Sequence, residues 1–166
     1  MVKLARKITP AKWNGSSWAS CKSIPSDALT VCMKTSGNTL SFWRVEATEQ
    51  GEEKAVLALL GTQQRIDKID IVFVDREEFS GIDFVDSQGS TIFSSLRDLH
   101  VDVAELSHDK FIAVAEVLGR QVYGDKIIRL TRAQFKSKMQ AALDEKMVSW
   151  ETIPESMRTE LREPKC

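Results

Sequence analysis

An α+β fold is predicted: one domain with a mixed sheet of about five strands, packed by four or five helices. Three observations lead there. The chain has 166 residues, of which 42% are hydrophobic, so a compact fold could bury roughly 70% of the surface its unfolded chain exposes. Short β-branched and aromatic runs recur at 39–45, 68–75 and 99–104. Between and after them, apolar residues recur at helical spacing, most clearly Phe111, Val114, Ala115, Leu118, Val122 and then Phe135, Met139, Leu143, Met147.

Taken in order, residues 1–25 hold Pro10, Gly15, Pro25 and a serine-rich patch without clear periodicity. They are expected to form an irregular basic arm, with residues 26–166 as the domain proper. Pro25-Ser26-Asp27 starts a short helix that Ser36-Gly37-Asn38 ends. Thr39 to Val45 is the first expected strand. Gly51-Glu52-Glu53 opens a deeply packed helix, with acids suited to the helix dipole, and Gly61 closes it. Ile71 to Val74 is a continuous apolar run bounded by aspartates, which suits a strand covered on both faces. Strand, helix and strand in that order predict a βαβ unit with parallel strands.

Residues 82–85 and 90–93 are expected as two short strands around a turn, followed by a half-buried strand over 99–104. Ser107 caps the helix that runs to Val122, Gly124-Asp125 turns the chain into a strand over 126–130, and Thr131 caps a helix over 132–147. Pro154 begins a last short helix to Leu161.

Charge is unevenly spread. Residues 1–43 carry a net +5, residues 44–110 a net −8 and residues 111–166 a net +2, giving −1 overall. Such polarity favours oriented association with a charged partner. No apolar run approaches the roughly 20 residues that span a bilayer. Met1 to Lys7 is basic with no apolar stretch behind it, so no signal peptide and no membrane association are expected, and the protein is expected to be cytoplasmic. Cys21, Cys32 and Cys166 follow no disulfide or zinc spacing.

Chemistry-bearing motifs are sparse. The eight glycines form neither GxGxxG nor GxxxxGK[ST], and no cofactor is expected. His100 and Asp102 sit two apart on an expected strand and share a face, and either could join Cys32 or a serine in a nucleophilic site. The alternation with Leu99, Val101 and Val103 instead makes His100 a solvent-facing strand residue. Asp67, Asp70, Asp75, Glu77 and Glu78 surround the best strand, the placement used by metal-dependent hydrolases and nucleases, with Asp70 and Asp75 as candidate ligands.

Two segments suit an interaction. The arm holds Lys12 between Lys3 and Lys22, with Trp13 and Trp18, a mixture of cations and stacking rings. Arg120, Lys126, Arg129, Arg132, Lys136 and Lys138 have only Asp125 inside them, and Arg132 and Lys136 share a helical face. The expectation is a non-catalytic protein–protein interaction protein of the immunity, regulatory or complex-assembly kind, binding another protein or itself. The alternatives are a metal-dependent hydrolase or nuclease using carboxylates near 69–75, and a nucleic-acid-binding accessory subunit.

Overall fold

The computed structural model describes residues 2–13 and 24–162. Its centre is a six-stranded sheet of β1 (Lys3–Ile8), β2 (Leu40–Val45), β3 (Ile69–Asp75), β4 (Phe84–Asp86), β5 (His100–Val103) and β6 (Ile127–Leu130). The spatial order is β4-β5-β2-β1-β3-β6 and every neighbouring pair is antiparallel. The helices are α1 (Ser26–Cys32), α2 (Gly51–Leu60), α3 (His108–Tyr123), α4 (Arg132–Asp144) and α5 (Glu155–Arg158).

Three expectations are corrected here. Residues 3–8, expected as part of an irregular arm, form the strand between β2 and β3. Leu4, Ala5 and Ile8 are its buried residues, and the Lys-Arg-Lys content hid the pattern. The mixed sheet and its βαβ unit are replaced by an antiparallel sheet. β2 and β3 do run in the same direction with α2 between them, but β1 is inserted between them and pairs with both. Residues 90–93 are not a strand.

The two sides of the sheet bury different cores. On one side Ala5, Trp43, Ile69, Ile71 and Leu130 meet α2, α4 and α5 through Leu60, Phe135, Met139 and Met157. On the other, Leu4, Ile8, Phe42, Val72 and Val74 meet α1 and α3 through Ala28, Val114 and Leu118. Phe42, Phe79 and Phe84 pack edge to face at 5.3–5.6 Å, a favoured arrangement of ring quadrupoles. The caps expected at Ser107 and Thr131 form: Ser107 accepts from the Lys110 amide, and Thr131 with Gln134 forms a capping box, whereas α1 starts at Ser26 with no side-chain cap. Gly61 ends α2 because there is no room for a side chain; a Cβ there would stand 2.2 Å from Thr91 Oγ1. Among the described residues, no helix is long and apolar enough to cross a membrane.

The place of β1 gives a direct test. Removing residues 1–8 takes out a strand flanked on both sides and leaves both neighbours with unpaired backbone. The truncated chain is expected to show no cooperative thermal transition by circular dichroism, whereas a dispensable arm would leave the melt unchanged.

Candidate functional site

β1 and β2 form a ladder only over Lys3↔Val45, Leu4↔Arg44 and Ala5↔Trp43. Beyond that, β1 stays with β3 as far as Ile8↔Asp70, and β2 stays with β5 as far as Leu40↔Val103. The sheet forks, and backbone groups facing the gap need new partners. Arg6 provides them. Its Nε and Nη2 donate to the Cys32 carbonyl at 3.1 and 2.7 Å, and its Nη1 donates to the Ser41 carbonyl. Cys32 is the last residue of α1, so the guanidinium also satisfies an orphan carbonyl at the negative end of a helix.

The Arg6 guanidinium lies 5.2 Å from the centre of the Phe42 ring. Among the described residues its hydrogen bonds go to carbonyl oxygens and none goes to a carboxylate. Burial pulls its pKa down to about 10, with Cys32 and Asp102 opposing, so it remains charged at neutral pH. Lys7 beside it is also lowered, by desolvation, and donates to Gln63 at 2.6 Å.

A cleft of about 450 Å³ opens at the fork, lined by Arg6, Lys7, Cys32, Ser41, Trp43 and His100 among others. The register explains the far wall. Trp43 is directly opposite His100, and Ser41 directly opposite Asp102, so all four side chains share one face. The chain after β4 folds over this wall, with the Ser87 amide donating to the His100 carbonyl at 3.1 Å. Ser87 Oγ lies 2.7 Å from both His100 Nδ1 and Asp102 Oδ2, and Ser41 Oγ donates to Asp102 Oδ1 at 2.8 Å.

A carboxylate only accepts, so Ser87 gives its single proton to Asp102 and accepts from Nδ1 of the ring. His100 therefore carries its proton on Nδ1, and Nε2 is a bare acceptor. In a Ser-His-Asp triad the imidazole stands between the serine and the acid. Here the serine stands in the middle and both hydroxyls are committed to Asp102, so the array orients an imidazole and does not arm a nucleophile.

The His100 side chain is 13% exposed, which corrects the expectation of a solvent-facing strand residue. Residues 87–90, expected as turn and strand, cover it. Burial lowers its pKa from the ordinary 6.5, outweighing the attraction of Asp102 at 3.7 Å, and Arg6 lowers it further. Trp43 meets the ring edge to face at 5.0 Å. Gly89 lets them pack, since a Cβ there would stand 2.3 Å from the Trp43 ring and 2.9 Å from His100 Cβ.

The other sequence candidates do not converge. Asp70 is buried and holds Arg129 at 2.6 and 3.2 Å directly across the β3–β6 ladder. Asp75 is five residues further along β3, about 16 Å away and on the opposite face. Two carboxylates so placed cannot share a cation, and among the described residues no cluster of three or more His, Cys, Asp or Glu could hold a metal. Trp13, expected as an interface anchor, is fully buried in the core between the sheet and α1 and cannot be reached by a partner. Trp18 lies outside the described residues. Lys12 is paired with Asp27 at 2.9 Å and Arg132 with Glu160 at 2.6 Å, while Arg120 and Lys136 are exposed.

Arg6, Ser41, Ser87 and Gly89 were not singled out from the sequence. Leu4-x-Arg6-x-Ile8 was the available signal: a cation on the apolar face of a strand needs an unusual partner. No protein-family model, curated protein or solved structure matches the chain, so its site rests on this geometry alone.

Two outcomes test the wall of the cleft. Gly89→Ala is expected to cost about 1–3 kcal/mol by overpacking, read from chemical denaturation. The lowered His100 pKa means that the unfolded chain binds a proton which the folded chain refuses. Stability is therefore expected to fall as pH drops below about 6.5 toward the folded value, and the slope in that window should vanish in His100→Gln. Arg6, Lys7 and Asp102 are the charged groups that face the ring.

Proposed function

We propose that this protein is a non-catalytic binding protein, acting as a regulatory or complex-assembly subunit, and that the fork cleft is where it holds an oxyanion. The observation that supports this is the Arg6 guanidinium. It is charged, lines an open cleft and, among the described residues, bonds only to carbonyl oxygens. Three of its five N–H groups are used, leaving one on each terminal nitrogen, the fork geometry that suits carboxylate or phosphate. Lys7 adds a second positive charge. Asp102, the nearby acid, has an oxygen occupied by each of two serine hydroxyls.

Acetate and inorganic phosphate are the probes. Titrated into the purified protein, at least one is expected to give saturable NMR shifts at Arg6, Lys7 and Ser41, weakened by added chloride. Arg6→Lys keeps the charge but loses the fork, and should lower affinity about tenfold or more. Its stability cost should be about 1–3 kcal/mol for a stranded carbonyl. Absence of any saturable response in the wild type would sink the proposal.

A second reading, docking of a protein partner, draws on β6. Among the described residues this edge strand pairs only with β3; its Ile128 is 44% exposed and Lys126, just before the strand, is exposed. The charge fits an acidic extended segment added as a further strand. Nucleic-acid binding through the same stretch draws less support, because Arg129, Arg132 and Lys138 are engaged by Asp70, Glu160 and Glu53.

A further inference from the structure

The cleft contains an unused acceptor as well as an unused cation. His100 Nδ1 is bound to Ser87, and Nε2 makes no hydrogen bond to the described residues. The Ser41 and Ser87 hydroxyls cannot turn to serve it, because both donate to Asp102. Arg6 and Lys7 are donors, but Arg6 is fixed on the Cys32 and Ser41 carbonyls and Lys7 on Gln63. The ring is held by its cross-strand partner Trp43 and by Gly89, so it presents one nitrogen in one orientation. An acceptor that lines the cleft without a protein partner is open to a hydroxyl donated by a ligand.

We propose that the cleft selects a small hydroxy acid, with the oxyanion on Arg6 and the hydroxyl donating to His100 Nε2. This rests on the oxyanion reading above and adds what the oxyanion must carry with it. Plain acids supply no donor for Nε2. A second anionic group in place of the hydroxyl would put acceptor against acceptor. Trp43, Leu59 and Val31 give the remaining lining an apolar character, which suits a short carbon skeleton. His100 is thus the specificity-determining residue. Ser87 and Asp102 are positioning residues, since they act through the tautomer of the ring.

Lactate and propionate differ by one hydroxyl, and so do 3-hydroxypropyl phosphate and propyl phosphate. Each pair is titrated into the full-length protein above pH 7, with affinities from NMR or calorimetry. The hydroxylated member of at least one pair is expected to bind about tenfold tighter, the scale of one recovered hydrogen bond. The pair that shows the preference identifies the oxyanion as carboxylate or phosphate. In His100→Phe the preference for the hydroxylated member of the pair should disappear. Ser87→Ala, which leaves the ring in place but frees its tautomer, should reduce the preference several-fold and shift the ¹⁵N signals of the imidazole toward the other tautomer. Equal binding within both pairs, or a preference that survives in both variants, would overturn the inference and leave the oxyanion site standing. Failure of all four compounds to bind would remove both.

Discussion

Past Ala5 and Trp43 the sheet has two backbone edges facing each other with no ladder between them, and a single side chain spans that gap. Arg6 takes the place of the missing hydrogen bonds, holding Ser41 on one branch and the end of α1 on the other. A neutral residue of the same length would leave these carbonyls stranded, and a carboxylate partner would cancel the charge. The substitution of a guanidinium for a ladder thus joins two requirements, closure of the fold and a cation facing a cleft. The rest of the site is arranged around it.

The opposite wall is rigid for a different reason. Its residues are consecutive same-face positions on β2 and β5, so their spacing is fixed by strand register and not by loop conformation. Two serines fix the carboxylate, one of them fixes the ring, and a glycine without a side chain lets ring and indole close together. Such a wall needs little reorganisation when a ligand arrives, because its polar groups already point where they are needed.

Helices were legible because their signals are local. The Ser107 and Thr131 caps and the Phe135-Met139-Leu143 stripe depend on residues within a turn or two of each other. Strand existence was mostly legible too, but pairing was not. Nothing near Leu40 or Ile69 shows that Lys3–Ile8 lies between them, and an antiparallel sheet built by insertion gives the same local strand-helix-strand pattern as a parallel one. The site suffered from the same blindness. His100 and Asp102 were recognisable as neighbours two apart on a strand, whereas Arg6, Ser41 and Ser87 join them only through long-range register. Asp70 and Asp75 drew notice through proximity in sequence, yet an odd separation on a strand sends side chains to opposite faces.

The position of β1 also sets the order in which the molecule can be assembled. Leu4 pairs with Arg44 on one side and Val74 on the other. During synthesis β1 therefore waits until β3 has followed it before both its neighbours exist. Pairings of such long sequence separation close slowly, and a waiting strand is open to wrong partners. Its apolar residues Leu4, Ala5 and Ile8 are interrupted by Lys3, Arg6 and Lys7, charges that discourage edge-to-edge association of unfinished chains. The cation that closes the sheet in the finished protein is, earlier, one of the guards that keep its first strand single.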